Sequence, residues 1–346
     1  MKVLIAAHGF LPSIGGVSTH VATQAKSFVA KGHSVTIVTL SPGPVDGYGY
    51  RVVRNAGPVQ LFSLYRNADL IILSNLAVRL FYPLLLLRRP VALQHHSESA
   101  FRLSRSWFSM DLIRRDVMSR ATHFMTSAYI GRKSGLKRFE ITPPYADPHN
   151  ITPGIARPPA ERNRALFVGR TEPEKGLLWL LDRWPIVRKS LGVDELRIVG
   201  TGSLDSEIRD RIDRGLTGIE HLGGLDRSAT AQEMASCRYL LVPSLWEEPF
   251  GAVALEGIAA GALTILSNRG GLPETTGELG FFYEPGDDAS FVEALKRARN
   301  TFDSHLASSC QRTEWERAVR DHVDRFNPEV DVERIIQAMA PAIAHV

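Results

Sequence analysis

The stretch LFVGRTEPEKGLLWLL, residues 166–181, predicts a strand, a polar loop and a helix in that order. Its first residues are apolar without alternation, which is typical of a parallel strand covered on both faces of its sheet. The loop carries Arg170 and Lys175, and an apolar helical pattern follows it. The stretch therefore predicts one strand-and-helix unit of a doubly wound α/β domain.

The same succession of short apolar strands and longer helical patterns fills most of the chain. The first half contains VLIAAHG, SVTIVTL, DLIILSN, PVALQHH and HFMTSA, and the second half contains ALFVGR, LRIVGTG, IEHLGG, YLLVPS and LTILSN. Between the two series, residues 141–163 are rich in proline and have no sustained period, as an interdomain linker does. The sequence predicts two Rossmann-like α/β domains, at 1–155 and 156–327, followed by a helix at 328–346.

The composition is that of an ordinary globular protein, with 346 residues of which 44% are hydrophobic and 23% charged. Cys237 and Cys310 stand alone, which excludes a disulfide framework and a zinc ribbon and favours a reducing compartment. The apolar run in MKVLIAAHGF is too short for a signal peptide, and Arg79 and Pro83 interrupt the run LAVRLFYPLLLL. We expect a cytoplasmic protein.

Positive charge is concentrated in the first half. Residues 1–160 contain 19 Lys and Arg against 7 Asp and Glu, although the net charge of the chain is only +4. Segment 102–120 groups basic residues around two aromatic ones: Arg102, Arg105, Arg114, Arg115, Arg120, Trp107 and Phe108. Such a segment would either make peripheral contact with an anionic membrane surface or a lipid phosphate, or be a solvated basic face. No nucleic-acid-binding motif accompanies it, so we expect no nucleic-acid partner.

Two glycine turns follow predicted strands, where ligands bind in open α/β sheets. Gly15 and Gly16, in FLPSIGGVSTHV, precede a helix predicted to begin at Val17, so backbone N–H groups could approach an anion closely. Their spacing is not the dinucleotide-binding pattern G-x-G-x-x-G, which disfavours a nicotinamide enzyme. Gly200 lies in the second turn, VGTGS. A plain turn is the alternative interpretation of both.

Two pairs of nitrogen-bearing side chains also follow strands. Arg170 and Lys175 lie near a predicted helix start, where the helix dipole favours anions, so they indicate either a bound anion or solvated surface charges. His95 and His96, in VALQHHSES, end a buried strand; either can donate a hydrogen bond to a sugar hydroxyl, and one of them is expected to be structural. No H-x-x-x-H, DxD or Cys/His cluster occurs, so we expect no metal site.

The stretch EEPFGAVALEGIAAG, residues 247–261, predicts a helix that begins at Pro249 and ends at Gly261. Glu248 would then lie at its N-terminal edge and Glu256 about 12 Å along the axis, at about 1.5 Å per residue. This separation suits a ribose and a hexose joined by a diphosphate, with the N–H groups of Phe250 and Gly251 facing the diphosphate. Alternatively, Glu248 is a first-turn acid and Glu256 an exposed helix residue, although apolar neighbours argue against exposure of Glu256.

Together these motifs resemble the retaining glycosyltransferases of family 4, which have the GT-B fold. The resemblance rests on FLPSIGGVSTHV, LFVGRTEPEKG, LRIVGTGS, VPSLWEEPFGAVALEGIAAG and SNRGGLPE, in this order and spacing. It implies two Rossmann-like domains facing a cleft, with the acceptor bound mainly by the first and a nucleotide-sugar donor by the second. It also implies a C-terminal helix that crosses back to the first domain, retention of anomeric configuration, and no cofactor or divalent cation.

The resemblance also assigns roles to residues. Arg170 and Lys175 match the basic pair that grips the donor diphosphate, Glu248 the acid that holds hydroxyls of the transferred sugar, and Glu256 the acid that binds the ribose. His96, rather than its neighbour His95, matches the histidine near the reacting centre. The remaining matches to the donor site are Gly15, Gly16, Gly200, Pro249, Phe250 and Gly251. The catalytic set so implied is His96, Arg170, Lys175 and Glu248.

The implied reaction transfers a hexose-type sugar from a UDP- or GDP-sugar to a hydroxyl of a glycan, glycolipid or small molecule. No residue is an obvious covalent nucleophile, so we expect the departing phosphate to help deprotonate the attacking hydroxyl on the same face of the sugar. The first part of the linker, ITPPYADPHN at residues 141–150, departs from the family pattern V-x-P-N-G-V-D. The alternatives are an enzyme like UDP-GlcNAc 2-epimerase and a non-catalytic nucleotide-sugar-binding protein.

Overall fold

The computed structural model describes residues 1–12, 15–98, 111–145 and 162–344, which form two compact units. The first unit comprises Met1–Tyr145 and Phe326–Val346, and the second unit comprises Ala146–Arg325. The predicted domain boundary near residue 155 lies outside the described residues, as do Arg102, Arg105, Trp107 and Phe108 of the basic segment. Each unit has its own sheet and its own apolar core.

A parallel sheet forms the centre of the first unit. Its strands are β1 (Lys2–Ala7), β2 (Ser34–Thr39), β3 (Arg51–Arg54), β4 (Leu70–Ser74), β5 (Val91–His95), β6 (Thr122–Met125) and β7 (Glu140–Ile141). In the described residues they lie in the order β3-β2-β1-β4-β5-β6-β7. The helices are α1 (Gly16–Ala30), α2 (Pro58–Asn67), α3 (Val78–Phe81), α4 (Asp111–Arg120) and α5 (Ala128–Ser134).

Apolar side chains cover both faces of this sheet. Ile5 of β1 belongs to the same core cluster as Phe28 of α1, whereas the adjacent Leu4 belongs to the opposite cluster, with Leu61 of α2. Successive side chains of a strand point to opposite faces, so a strand buried on both sides needs an apolar residue at every position. This is why β1 is an unbroken apolar run after Lys2.

The second unit has a parallel sheet of its own. Its strands are β8 (Arg164–Val168), β9 (Leu196–Val199), β10 (Ile219–Gly223), β11 (Cys237–Val242), β12 (Leu263–Ser267) and β13 (Gly280–Tyr283). Their order in the described residues is β10-β9-β8-β11-β12-β13. The helices are α6 (Leu177–Asp182), α7 (Trp184–Leu191), α8 (Asp205–Asp213), α9 (Arg227–Ser236), α10 (Ala252–Ala259), α11 (Leu272–Thr276), α12 (Asp288–Ala307) and α13 (Ser309–Val323).

The predicted α/β class, with parallel sheets in both halves, is confirmed, and all ten predicted strands are present. Three further strands, β3, β7 and β13, were not predicted. All three lie at an edge of their sheet. An edge strand pairs on one side only and is often short, so its sequence need not carry the apolar run of a central strand.

The last helix, α14 (Pro328–Ile343), packs on α1 of the first unit. Its buried residues Val332, Ile335 and Met339 belong to the same core cluster as Phe28. Asp331 is buried as well, and its Oδ2 accepts a hydrogen bond from the Tyr145 hydroxyl at 2.7 Å. The first unit is therefore completed by residues that follow the second unit in the chain. Among all helices in the described ranges, none is both long enough and apolar enough to cross a bilayer.

Candidate functional site

Two loops of the second unit run backbone against backbone beyond β8 and β9. The N–H of Gly169 donates to Val199 O at 3.0 Å, and the N–H of Thr171 donates to Thr201 O at 3.2 Å. Gly200 has φ +138°, and a Cβ there would lie 1.9 Å from Gly169 O. Close approach of the two backbones therefore requires glycine at position 200. Its contact with a donor stays a prediction.

The loop that carries Lys175 is pressed against the loop that follows β11. Pro173–Lys175 form a 3-10 turn that ends at Gly176, which has φ 73°. A Cβ at Gly176 would lie 1.9 Å from Pro243 O, and the N–H of Leu245 donates to Glu174 O at 2.8 Å. Because β8 and β11 are neighbouring strands, this contact holds the two loops together at one edge of the sheet.

That contact brings Lys175 to Glu248, two of the predicted site residues. Lys175 Nζ lies 2.6 Å from Glu248 Oε1, and the Ser244 hydroxyl donates to the same oxygen at 2.7 Å. Glu248 is only 8% exposed, and Lys175 Nζ also lies 5.2 Å from the centre of the Trp246 ring. A nearly buried carboxylate requires such donors, and a charge-assisted hydrogen bond is among the stronger kinds.

Arg170, the other predicted cation, is not part of this cluster in the structure. Its side chain is 63% exposed and forms an ion pair with Glu174 at 3.0 Å. An exposed pair of this kind contributes little stability, about 0–1 kcal/mol, so exchanging Glu174 for an anionic ligand would cost little.

The prediction that a helix begins at Pro249 is wrong, because α10 begins at Ala252. Gly251 has φ 90°, which interrupts the helical path, and the Glu248 carbonyl accepts from the N–H of Gly271 at 2.7 Å instead of making a helical bond. A Cβ at Gly270 would lie 2.3 Å from Glu248 O, so the GG pair allows this approach. Glu248 thus precedes the helix, and the 12 Å axial separation from Glu256, which assumed one continuous helix, does not apply. The predicted helix end is confirmed, since Gly261 has φ 77° just after α10.

The other residues of this stretch have structural partners. Phe250 is buried, and its carbonyl accepts a hydrogen bond from the Thr275 hydroxyl of α11. The backbone of Pro249 lies against Gly271, where a Cβ would meet Pro249 O at 2.5 Å. Glu256 lies within α10 and is half-buried. The ligand contacts predicted for Pro249, Phe250, Gly251 and Glu256 stay predictions.

Gly15 and Gly16 lie at the start of α1 in the first unit, one residue earlier than predicted. Gly15 is extended, with φ 170°, a conformation open to any residue. A Cβ on either glycine would have no neighbour within 4 Å in the described part of the chain. Packing in this part therefore does not demand glycine, in contrast with Gly200.

The two adjacent histidines differ in environment. His95 is fully buried; its Nε2 lies 2.9 Å from His123 Nδ1, and burial lowers the pKa of His95 to about 3. His96 is half-buried; its Nε2 lies 3.0 Å from Ser74 Oγ, and burial lowers the pKa of His96 to about 4. Both imidazoles are neutral at pH 7, and His96 is the one with exposed surface. Its catalytic role stays a prediction.

Sequence reasoning missed Ser244. The signal that could have found it is its position directly after the run YLLVP, at the end of a strand, where site residues are often found.

Metal ligands were predicted to be absent. No group of three His, Cys, Asp or Glu side chains suited to a metal occurs within the described ranges.

Solved structures identify the fold class. The chain is similar to a glycosyltransferase from Rickettsia africae, with a TM-score of 0.75 and 16% identity over 99% of this chain and 98% of that one. It is also similar to the Anabaena protein Alr3699/HepE in complex with UDP and glucose, with a TM-score of 0.71 and 19% identity over 99% and 100% of the two chains. At such identities the likeness shows the fold alone, and the predicted GT-B fold is confirmed.

Sequence matches extend the likeness to a family over part of the chain. Residues 162–300 match the family described as Glycosyl transferases group 1. A phosphatidyl-myo-inositol mannosyltransferase of Mycobacterium leprae is 32% identical over 152 residues, 43% of this chain and 40% of that protein. A glycogen synthase of Mycobacterium tuberculosis is 30% identical over 188 residues, 53% of this chain and 43% of that protein. The matches span less than half of either relative. The predicted resemblance to GT-B glycosyltransferases is confirmed.

Proposed function

We propose that the chain is a retaining glycosyltransferase of family 4 that transfers a hexose-type sugar from a UDP- or GDP-sugar to a hydroxyl of a glycan, glycolipid or small molecule. The observation that carries the proposal is the nearly buried Lys175–Glu248 contact, at 2.6 Å, beyond the carboxyl ends of β8 and β11. It lies within residues 162–300, which match the glycosyltransferase family. A cation and a carboxylate held together suit a ligand with a diphosphate next to a hydroxyl-rich sugar.

In this reaction Lys175 and Arg170 stabilise the charge that develops on the diphosphate as its bond to the sugar breaks. Glu248 accepts hydrogen bonds from hydroxyls of the transferred sugar, and Glu256 accepts them from the ribose. The acceptor oxygen forms the new bond to the anomeric carbon on the face that the diphosphate leaves, and its proton passes to the departing phosphate. Gly200 and the backbone of Pro249, Phe250 and Gly251 complete the donor site, without a metal ion.

The proposal also assigns ligand contacts to three residues of the first unit: Gly15, Gly16 and His96. A neutral His96 would hydrogen-bond an uncharged hydroxyl near the reacting carbon.

We also propose that the enzyme is cytoplasmic, acts in polysaccharide or glycolipid biosynthesis, and contacts the inner face of the membrane peripherally through segment 102–120. Sedimentation with anionic and neutral vesicles at low and high salt tests this contact. Binding that requires anionic lipid and is lost at high salt is expected.

A donor panel tests the central proposal. UDP-, GDP- and ADP-sugars are screened by thermal shift, and transfer or slow donor hydrolysis is then measured with and without EDTA. We expect one donor family to raise the melting temperature and to be turned over, with the same rate in EDTA. Absence of both binding and turnover contradicts the proposal. Formation of an epimer without acceptor would indicate a 2-epimerase, and binding without turnover a non-catalytic nucleotide-sugar-binding protein.

A further inference from the structure

Ser244 lies two residues beyond the end of β11 and is 2% exposed. Its Oγ donates a hydrogen bond to Glu248 Oε1 at 2.7 Å. Its carbonyl oxygen accepts a hydrogen bond at 2.8 Å from Ser267 Oγ, at the end of the neighbouring strand β12. The backbone of Ser244 is thereby fixed to the sheet while its hydroxyl holds the carboxylate.

Both hydrogen bonds to the Glu248 side chain reach the same oxygen. Ser244 Oγ and Lys175 Nζ lie 2.7 Å and 2.6 Å from Oε1. Within the described residues, Oε2 receives no hydrogen bond from the protein. A carboxylate has about four lone-pair positions, so Oε2 retains its capacity to accept hydrogen bonds from a ligand.

The two donors to Oε1 are not equivalent. Lys175 ends in a point charge on a flexible stem, and an incoming diphosphate would compete for its ammonium group. Ser244 has a short, uncharged side chain on a backbone that is tied to β12. The serine can therefore keep the orientation of Glu248 while the lysine turns toward phosphate.

We propose that Ser244 is a positioning residue of the donor site: it holds Oε1 of Glu248 so that Oε2 accepts hydrogen bonds from hydroxyls of the transferred sugar. This inference rests on the proposed function. Ser244 would then influence sugar specificity, because the orientation it gives to Glu248 decides which sugar hydroxyls can donate hydrogen bonds to Oε2.

The test compares Ser244→Ala with wild type on UDP-glucose and GDP-mannose, on their deoxy-sugar analogues, and on UDP and GDP alone. In Ser244→Ala we expect kcat/KM for the hydroxylated donor to fall about 10- to 100-fold, as for loss of a hydrogen bond to a charged group. For the analogue that lacks the recognised hydroxyl, kcat/KM should change by less than about 3-fold. The ratio of kcat/KM between the hydroxylated donor and this analogue should therefore fall in Ser244→Ala. Affinity for the nucleoside diphosphate should stay within about 2-fold, because neither phosphate nor base contacts Glu248 in the proposed complex.

Two further variants separate positioning from general packing. Thr264→Val removes a fully buried hydroxyl on β12 that donates to the Ala262 carbonyl and not to Ser244 or Glu248, and its kcat/KM should stay within about 3-fold of wild type. Ser244→Thr retains a hydroxyl and should recover most of the discrimination. Should Ser244→Ala not fold, Ser244→Cys replaces it, since the thiol is a weaker donor of similar size and should shift discrimination in the same direction.

The outcomes distinguish the inference from the proposed function. The role of Ser244 is overturned if Ser244→Ala discriminates between the hydroxylated donor and its deoxy analogue as well as wild type does. It is also overturned if the variant loses affinity for the nucleoside diphosphate and for the nucleotide sugar equally. The proposed transferase activity stands in both cases. A wild-type protein that neither binds nor turns over any donor overturns both.

Discussion

The two units place polar side chains at equivalent positions, beyond the carboxyl ends of strands, but control their charge in opposite ways. In the second unit, Lys175 and Glu248 form a charged pair at 2.6 Å. In the first unit, burial lowers the pKa of His96 to about 4 and lowers the pKa of His20, whose ring lies 5.0 Å away, well below its ordinary value. The second unit holds an ion pair at this position, whereas the first holds the neutral imidazoles of His96 and His20.

This difference indicates which ligands each unit can accept. The Lys175 ammonium has three donors and can also bind a diphosphate, while the Ser244 hydroxyl continues to hydrogen-bond the Glu248 carboxylate. A neutral imidazole exchanges hydrogen bonds with an uncharged hydroxyl at little electrostatic cost. The contrast agrees with a donor site in the second unit and hydroxyl recognition in the first.

Loss of the Lys175 cation should have the largest effect. We expect Lys175→Met to lower kcat/KM by about 100- to 1000-fold, because the variant lacks the cation that stabilises the charge developing on the departing diphosphate. Steady-state kinetics with the best donor of the panel measures this. Lys189→Met, an exposed lysine on α7, is the matched control and should behave as wild type. Equal rates for the two variants would contradict the role given to the charged pair.

Two glycine substitutions compare the loops of the units directly. Gly200→Ala should lower the free energy of unfolding by about 2–4 kcal/mol, because its φ is +138° and its Cβ would collide with Gly169 O. Gly16→Ala should leave stability unchanged or raise it by about 0.5–1 kcal/mol, since alanine favours a helix. Its donor turnover should nevertheless fall at least about 10-fold if phosphate approaches this backbone. Urea unfolding and kinetics on both variants measure the contrast, and full activity of Gly16→Ala would remove that glycine from the site.

The adjacent histidines should separate stability from turnover. We expect His96→Asn to lower turnover about 10- to 100-fold with stability nearly unchanged, and His95→Asn to lower stability with a smaller effect on turnover per folded molecule. Because the pKa of His96 is about 4, the imidazole is neutral above about pH 5. The acid limb of the wild-type pH–rate profile should therefore not follow a group with a pKa near 6.5. Assignment of such a limb to His96 would contradict its neutral state.

The smallest expected effect concerns Asp331 on α14. Burial raises the pKa of Asp331 to about 7, although the Tyr145 hydroxyl and Arg334 favour the ionised form. The folded state thus holds a proton that the unfolded state releases above about pH 4, so this group costs stability as pH rises from about 4 to 7. Asp331→Asn should gain about 1 kcal/mol or more over wild type between pH 4.5 and pH 7.5 in urea unfolding. A difference that does not change with pH would show that Asp331 is ionised in the fold.

Most of the fold could be predicted because central strands are buried on both faces and so have unmistakable apolar runs. The edge strands β3 and β13 could not, since RVVR and GFFY are short and follow no such requirement. The proximity of Lys175 and Glu248 was suggested only by their positions after strands and by family resemblance. Their hydrogen bond depends on Gly176 meeting Pro243, a contact between distant segments.

The start of α10 could not be predicted for a related reason. Pro249 is a favourable first-turn residue, so local preference places the helix three residues too early. A tertiary contact overrides this local preference, because the N–H of Gly271 donates to the Glu248 carbonyl. Gly251, with its positive φ, then turns the chain into the helix. Ser244 was overlooked because a buried serine carries no charge or pattern that marks its partner.

The position of α14 has a consequence for biosynthesis. On the ribosome, the part of α1 that α14 covers stays exposed until the whole second unit has been synthesised. Lys31 of the first unit pairs with Glu333, 302 positions later. The second unit can therefore complete its core while the first is still missing a helix. Truncation before Pro328 should leave the nascent first unit aggregation-prone and dependent on chaperones, whereas the second unit should still fold.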